Sequence, residues 1–531
     1  MNKIISILSI LLLPIYALYG QEDITISDVE VVKAFEAKLI DAKRVSTSPI
    51  IPDMELTDPR YQYNINIIPL ELEYPDPVIR PLAMKTDPRK EPKMAWLKAG
   101  YGTLLHPYID AGYNLFIEDL YSASVYGHYE GGKQTIDNDI YRSYSQLDLR
   151  AEGTYFLHPT MSIFTNVGYS REKRSIGFTD AVSRSFDHLT VGGGIRNTEP
   201  IRDNIFYSVG LDFNLLNEST EEITETVISI PASFSYKISD LGLFNITNDF
   251  EFSKAFDTYD ASVVNQLNAH YKNTTGSLSY KIGGDIIHSK NSKSIFPDLL
   301  FSYALLDRKL NLELGSDQDY YRYNMQGLYL ANPYYLFSKT IDDINITRSI
   351  FAGANGKLSS FSFEARGGYK LLSNIYSFVN SSADATYFEN QNIPITKSTA
   401  VFMEGNLSYK WSDWLSVSGN LTQHFYNSDI EIYHLPNVEA RTKIMLHDPK
   451  LKWNVYSSLQ FTDKVTVLNT RTNAVENLNS QIDFSLGGDY FILDNLGLYL
   501  EANNLFSNNY ERWNGYRDFG INFYGGIKLK F

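Results

Sequence analysis

The sequence predicts an all-β fold, a transmembrane antiparallel β-barrel of roughly 16–22 strands (an even number) behind an extended Pro-rich arm. Three observations predict it: period-two alternation from Met94 to the C-terminus, connections that alternate between tight and long, and aromatic residues at segment ends.

The alternation is plainest in the last segment. Ile521, Phe523, Gly525, Ile527, Leu529 and Phe531 share one face, while Asn522, Tyr524, Gly526, Lys528 and Lys530 share the other. The same division recurs at Leu496–Asn503, at Leu451–Gln460, at Leu147–Thr154 and at Phe361–Arg366. A soluble sandwich also alternates. These segments, however, are often about ten residues long, the length of a tilted membrane-crossing strand. Tight turns at Trp411-Ser412-Asp413-Trp414, Leu493-Asp494-Asn495 and Ser373-Asn374 are separated by long polar loops such as Ser170–Ser185 and Asn504–Phe519. Trp411, Trp414, Tyr490, Phe491, Tyr510 and Trp513 stand where an interfacial girdle belongs. Hydrocarbon leaves no water for an open sheet edge, so the strands must close on themselves.

The elements follow in chain order. Lys3, the apolar run Ile4–Ala17 and Leu18-Tyr19-Gly20 before Gln21 read as an export signal, residues 1–20. Its apolar core is short for a span of roughly 20 residues. No later stretch reaches the uninterrupted apolar length of a spanning helix, and mean hydropathy is −0.25. Any crossing is therefore made by strands.

Nine of the 19 prolines fall between Pro49 and Pro92. Proline lacks the amide hydrogen and biases its predecessor toward extended backbone, so residues 21–92 are no run of helices and no central sheet. They read as an arm that begins on the periplasmic side and can enter the lumen, with a flexible linker as the alternative. Residues 93–531 form the barrel. An even strand number sets both barrel ends beside the short turns.

Composition removes several function classes. With no cysteine, disulfides, thiol nucleophiles and an acylated cysteine anchor are excluded. A net charge of −15 opposes nucleic acid. No HExxH, GxSxG or phosphate loop is present, and Gly192-Gly193-Gly194 lies in an alternating strand. His188 beside Asp187 and His447 beside Asp448 are weak acid–base pairs, and the chain is read as no enzyme. Asp137-Asn138-Asp139 and Asp317-Gln318-Asp319 read as solvated loop charge before calcium ligands, and Arg171-Glu172-Lys173-Arg174 as a solvated cluster before an anion site. No metal or cofactor is expected. A sharper group is the charge on the water-facing side of the strands: Arg150, Glu152, Glu364, Arg366, Glu404, Lys410, Glu501, Lys528 and Lys530. Such residues form a salt-bridge network in the wall or set the selectivity of a lumen.

The run LGLYLEANNLFSNNYERWNGYRDFGINFYGGIKLKF, Leu496–Phe531, resembles the end of TonB-dependent outer-membrane receptors. WLKAGYG…PYIDAGYN, Trp96–Asn114, resembles the first hairpin of a short subgroup. The resemblance implies a Gram-negative outer-membrane location, contact with its lipid, and a barrel-assembly signal at Phe523 and Phe531. It also implies a TonB-contact segment near the mature N-terminus, for which Ile24, Ile26, Val29 and Val31 alternate suitably. The family's large globular plug has no counterpart in the Pro-rich arm. Two function classes stay open: a barrel that binds or passes a solute, with TonB or other envelope proteins as partners, and a non-transporting subunit of an assembly or secretion complex docked through the arm.

Overall fold

The computed structural model describes residues 94–531 except 119, 137–139, 159, 178–181, 198–203, 239–241, 257, 340–342, 381–389, 451, 471 and 508–510, and the side chains at 136, 140 and 339. The export signal, the arm, and Ile24, Ile26, Val29 and Val31 within it lie outside the described residues, as do Asp137, Asn138 and Asp139.

Twenty-two strands pair antiparallel in chain order. The first, Ala95–Gly102, pairs with the second, His106–Ile117, and with the last, Asn522–Lys530, from Trp96↔Lys530 to Gly102↔Tyr524. That last ladder closes the barrel and leaves no edge, as the absence of water in hydrocarbon requires. Met94 and Phe531 stand at the end that carries the tight turns 276–277, 359–360, 413–414 and 492–495. The opposite end carries the long connections 323–343, 428–437, 463–480 and 504–521.

Side-chain direction follows the alternation. Leu498, Leu500, Phe523 and Ile527 point outward and are exposed, while Tyr499 and Glu501 are buried toward the lumen. Trp411, Trp414 and Tyr490 form an exposed aromatic band near the tight turns, together with Tyr155, Tyr303 and Phe531. Phe491 and Trp513 depart from that expectation, because both are buried. Tyr510 is not among the described residues.

Strand length differs from the sequence reading. The barrel strands run from 8 to 23 residues, so many project past any bilayer. Ser170–Ser185 is no long loop: strands Met161–Gly177 and Val182–Asn197 extend into it from either side, paired up to Ile176↔Val182. Where both faces of a ladder meet polar surroundings the hydrophobic contrast disappears but the backbone bonds persist. Ser373-Asn374 is no turn either, and lies inside strand Phe361–Asn380. Asn374 takes a left-handed φ of 62°, which Asn tolerates, and donates from its side chain to the Ile344 carbonyl at 3.1 Å. The turn-like residue therefore marks a local kink.

Gly192-Gly193-Gly194 serves close approach within strand Val182–Asn197. A Cβ on Gly192 would stand 1.9 Å from Asp212 Oδ1, and one on Gly194 would stand 2.2 Å from the Val209 carbonyl oxygen. The largest cluster of buried apolar side chains lies at the long-loop end, where Tyr323, Met325, Leu328, Tyr335 and Phe337 pack against Phe186, Leu216, Tyr376 and Phe378 of the strands.

Candidate solute site at the long-loop end

The segment 323–343 leaves strand Leu310–Arg322 and packs against side chains from several strands of the wall. Its base is closed by Tyr323 N–H donating to the Asp343 carbonyl at 2.7 Å. Asn324 opens the helix Met325–Ala331, accepting from Gly327 N–H at 2.8 Å. A short helix with unsatisfied N-terminal amides needs further acceptors. The wall supplies one: fully buried Glu225 accepts from Met325 N–H at 2.8 Å, from Gln326 N–H at 2.9 Å, and from the Tyr259 hydroxyl.

Past the helix an arginine takes over the anchoring. Arg184, only 2% exposed, pairs through Nε with Glu218 and through Nη2 with Glu221, each at 3.1 Å, and donates to the Tyr335 carbonyl at 2.7 Å. Glu221 in turn accepts from Phe337 N–H at 2.8 Å and Ser338 N–H at 2.7 Å. One cation thus serves two carboxylates where water is excluded, and backbone amides meet the rest of the negative charge.

Three adjoining hollows result. The largest, about 490 Å³, is lined by Tyr323, Tyr376, Tyr426, Tyr433, Phe378 and Trp513, with Glu439, Gln460, Gln481 and Arg512 as polar groups. A second, about 370 Å³, shares Ala331, Arg512 and Trp513 with it and adds Arg142, Glu172, Arg174, Tyr329, Tyr334, Tyr516 and Asp518. A third, about 310 Å³, shares Tyr321 and Asn345 with the largest, and sets Arg366 and Lys370 among Asp317 and Asp319.

Ring contacts fix these walls. Tyr323 stacks on Tyr376 at 3.9 Å, Tyr334 on Tyr516 at 3.7 Å, and Phe378 meets Trp513 edge-on at 5.5 Å. His434 ties two loops together: its Nδ1–H donates to the Phe378 carbonyl at 2.9 Å, and its Nε2 accepts Asn514 N–H at 3.3 Å. Burial pushes the imidazole pKa down to about 4, so the ring is neutral at ordinary pH.

The predicted charges are all on strands or their ends, but in different company. Arg366 bonds Glu404 at 2.8 Å, and Lys370 bonds the same carboxylate at 2.7 Å. Glu501 pairs with Lys98 at 2.7 Å, and Lys528 with Asp489 at 2.7 Å. Lys530 stands 3.8 Å over the Phe491 ring. Lys410 pairs with Asp413 at 2.7 Å at an exposed turn. Arg150 and Glu152 line a separate wall groove of about 540 Å³, and Arg150 approaches Asp148 at 3.9 Å. Glu364 has no ion pair among the described residues.

Strand alternation separates pairs that sequence proximity joined. Arg171 meets Asp187 at 3.4 Å, while Glu172 and Arg174 line the 370 Å³ hollow, so the cluster 171–174 is split between two faces. His188 bonds Asn214 at 3.2 Å, and Asp187 accepts from the Tyr169 hydroxyl at 2.6 Å, so the two are no acid–base pair. Gln318 is buried against Asp285 and Ser294, and Asp317-Gln318-Asp319 belongs to a strand and not to an outer loop. Among the described residues no group of three or more His, Asp or Glu is placed to hold a metal. Sequence reading missed segment 323–343 and its anchors Arg184, Glu218, Glu221 and Glu225. The signal was present as a break in alternation, an Asn cap, and the aromatic density of residues 320–337.

The barrel matches solved structures. It is similar to the ferric enterobactin receptor PfeA of Pseudomonas aeruginosa, with 12% identity over 82% of this chain and 80% of that one, at a TM-score of 0.62. The fold is that of a siderophore-receptor barrel. The siderophore receptor PirA of Acinetobacter baumannii aligns over 83% of this chain and 81% of its own, at 10% identity and a TM-score of 0.61. FpvA of P. aeruginosa, solved with heterologous pyoverdines, aligns over 83% and 72%, at 12% identity and 0.62. No family model and no curated protein matches the chain. The resemblance of the C-terminal residues to receptor-type outer-membrane barrels thus holds at the level of fold, and the neighbours are receptors, not enzymes.

Proposed function

We propose that this chain is an outer-membrane receptor that captures a solute at the long-loop end and passes it inward. The observation that carries the reading is the series of three adjoining hollows, which leads from aromatic walls at the loops to the charged wall at Arg366, Lys370 and Glu404. Rings with polar tips bind a solute that has both flat apolar and hydrogen-bonding parts, and the inner charges then select among what enters. Further charges at Arg150, Glu152, Glu364, Glu501, Lys528 and Lys530 serve the same selection or hold an occluding segment, and Lys410 lies outside it at a turn. Residues 21–92 act from the periplasmic side as gate, with Ile24, Ile26, Val29 and Val31 as the TonB contact. Phe523 and Phe531 serve recognition by the barrel-assembly machinery.

Single-channel recording in planar bilayers tests passage. Full-length protein is expected to stay quiet, and protein lacking Asp23–Pro92 to show a stable pore. A lumen that stays shut in both would contradict passage.

A further inference from the structure

The 370 Å³ hollow carries a charge arrangement that specifies more than aromatic binding. Arg142 projects into it from strand Ile140–His158 and is only 7% exposed. Its Nη2 donates to the Tyr334 hydroxyl at 3.3 Å and lies 3.7 Å from Asp518. Its Nη1 is buried and has no hydrogen-bond partner. Leaving a charged donor unbonded away from water is costly, so such an atom points to a missing acceptor. Arg512 lines the same hollow, is exposed to it, and has no ion pair among the described residues. Arg174 completes the cationic side but already bonds Glu172. Three guanidiniums thus face two carboxylates, Glu172 and Asp518, and Tyr334 and Trp513 offer ring surface beside them.

We propose that this hollow is an anion subsite, in which Arg142 Nη1 and Arg512 take the carboxylate or phosphate group of a solute whose flat portion packs on Tyr334 and Trp513. The proposal rests on the receptor reading and names the chemical class of what is received. A guanidinium fork matches two oxygens of one anionic group, and both acids in the hollow have cationic neighbours that leave one net positive charge for the solute. A neutral sugar or alcohol can accept a bond from Arg142 Nη1 but brings no charge to balance the excess cation, so it is held more weakly.

Calorimetric titration of the full-length protein in detergent tests this with benzoate and phenyl phosphate as anionic probes, and with benzyl alcohol as the neutral one. At least one anion is expected to bind more tightly than the alcohol, and Arg142→Met and Arg512→Met are each expected to weaken that anion by roughly 10- to 100-fold. Arg512 is exposed, so its variant keeps the test valid if Arg142→Met disturbs Tyr334. Equal binding of alcohol and anions, or anion affinity unchanged in both variants, would overturn the subsite and leave capture at the aromatic hollows standing. Failure of all three probes, with a bilayer that stays shut after deletion of Asp23–Pro92, would overturn the receptor reading as well.

Discussion

Replacing Arg184 with methionine keeps most of the side-chain volume and removes the charge that anchors segment 323–343. Glu218, fully buried, then loses its cation at 3.1 Å and, among the described residues, keeps the amides of Thr220 and Glu221, each at 2.7 Å. Glu221 loses its cation too, and the Tyr335 carbonyl loses a donor at 2.7 Å. Removing one partner of a buried ion pair costs about 3–5 kcal/mol, because the remaining charge stays desolvated. At about 1.4 kcal/mol per factor of ten, the undocked population of the segment rises by roughly two to three and a half orders of magnitude. Hydrogen exchange reads this at the Phe337 and Ser338 amides, which donate to Glu221, while the heat-modifiable migration of the barrel on gels shows that the wall is still closed. Faster exchange at those two amides is expected, with partial recovery in Arg184→Met/Glu218→Gln, where the stranded charge is gone. Unchanged exchange in Arg184→Met would refute the anchoring argument.

Glu225→Gln turns an acceptor of two helix amides into a group that is half donor, and is expected to cost roughly 1–3 kcal/mol of docking of Met325–Ala331, seen as faster exchange in that helix. Gly526→Val places a Cβ 2.0 Å from the Ala99 carbonyl oxygen and 2.5 Å from Gly100 Cα, so the closing ladder fails and the compact, heat-modifiable gel band is lost. For His434 the pKa is depressed to about 4 in the folded chain, from an ordinary value of about 6.5. Its contribution is therefore complete above about pH 6.5 and falls by roughly 1.4 kcal/mol per pH unit down to about pH 4. Proteolysis of the connection 428–437 is expected to accelerate over that window in the parent protein, and to lose the slope in His434→Asn.

The barrel was legible because its evidence is local. Period two is visible within any one strand, and parity alone placed Leu498 and Leu500 outward and Glu501 inward. Pairing was less legible, because it depends on register between strands. Arg366 and Glu404 are cross-strand partners 38 residues apart, and Lys98 meets Glu501 across the closure, 403 residues away. The long-loop site was hidden for a further reason. Arg184 and the Tyr335 carbonyl are 151 positions apart, and Glu225 and Met325 are 100 apart, so no window of sequence contains both halves of an anchor. The extended strands above the membrane were misread as loops because polar faces on both sides erase the contrast that parity needs.

A receptor that captures solute at the long-loop end has its aromatic hollows open to the outside of the cell and its tight turns facing the periplasm. The chain has no cysteine, so single introduced thiols report position cleanly. Arg512→Cys at the hollows and Asp413→Cys at an exposed tight turn should be treated on intact cells with a membrane-impermeant maleimide. The predicted result is labelling of the first on intact cells, and of the second only after permeabilisation. Labelling of the second alone on intact cells would contradict the account.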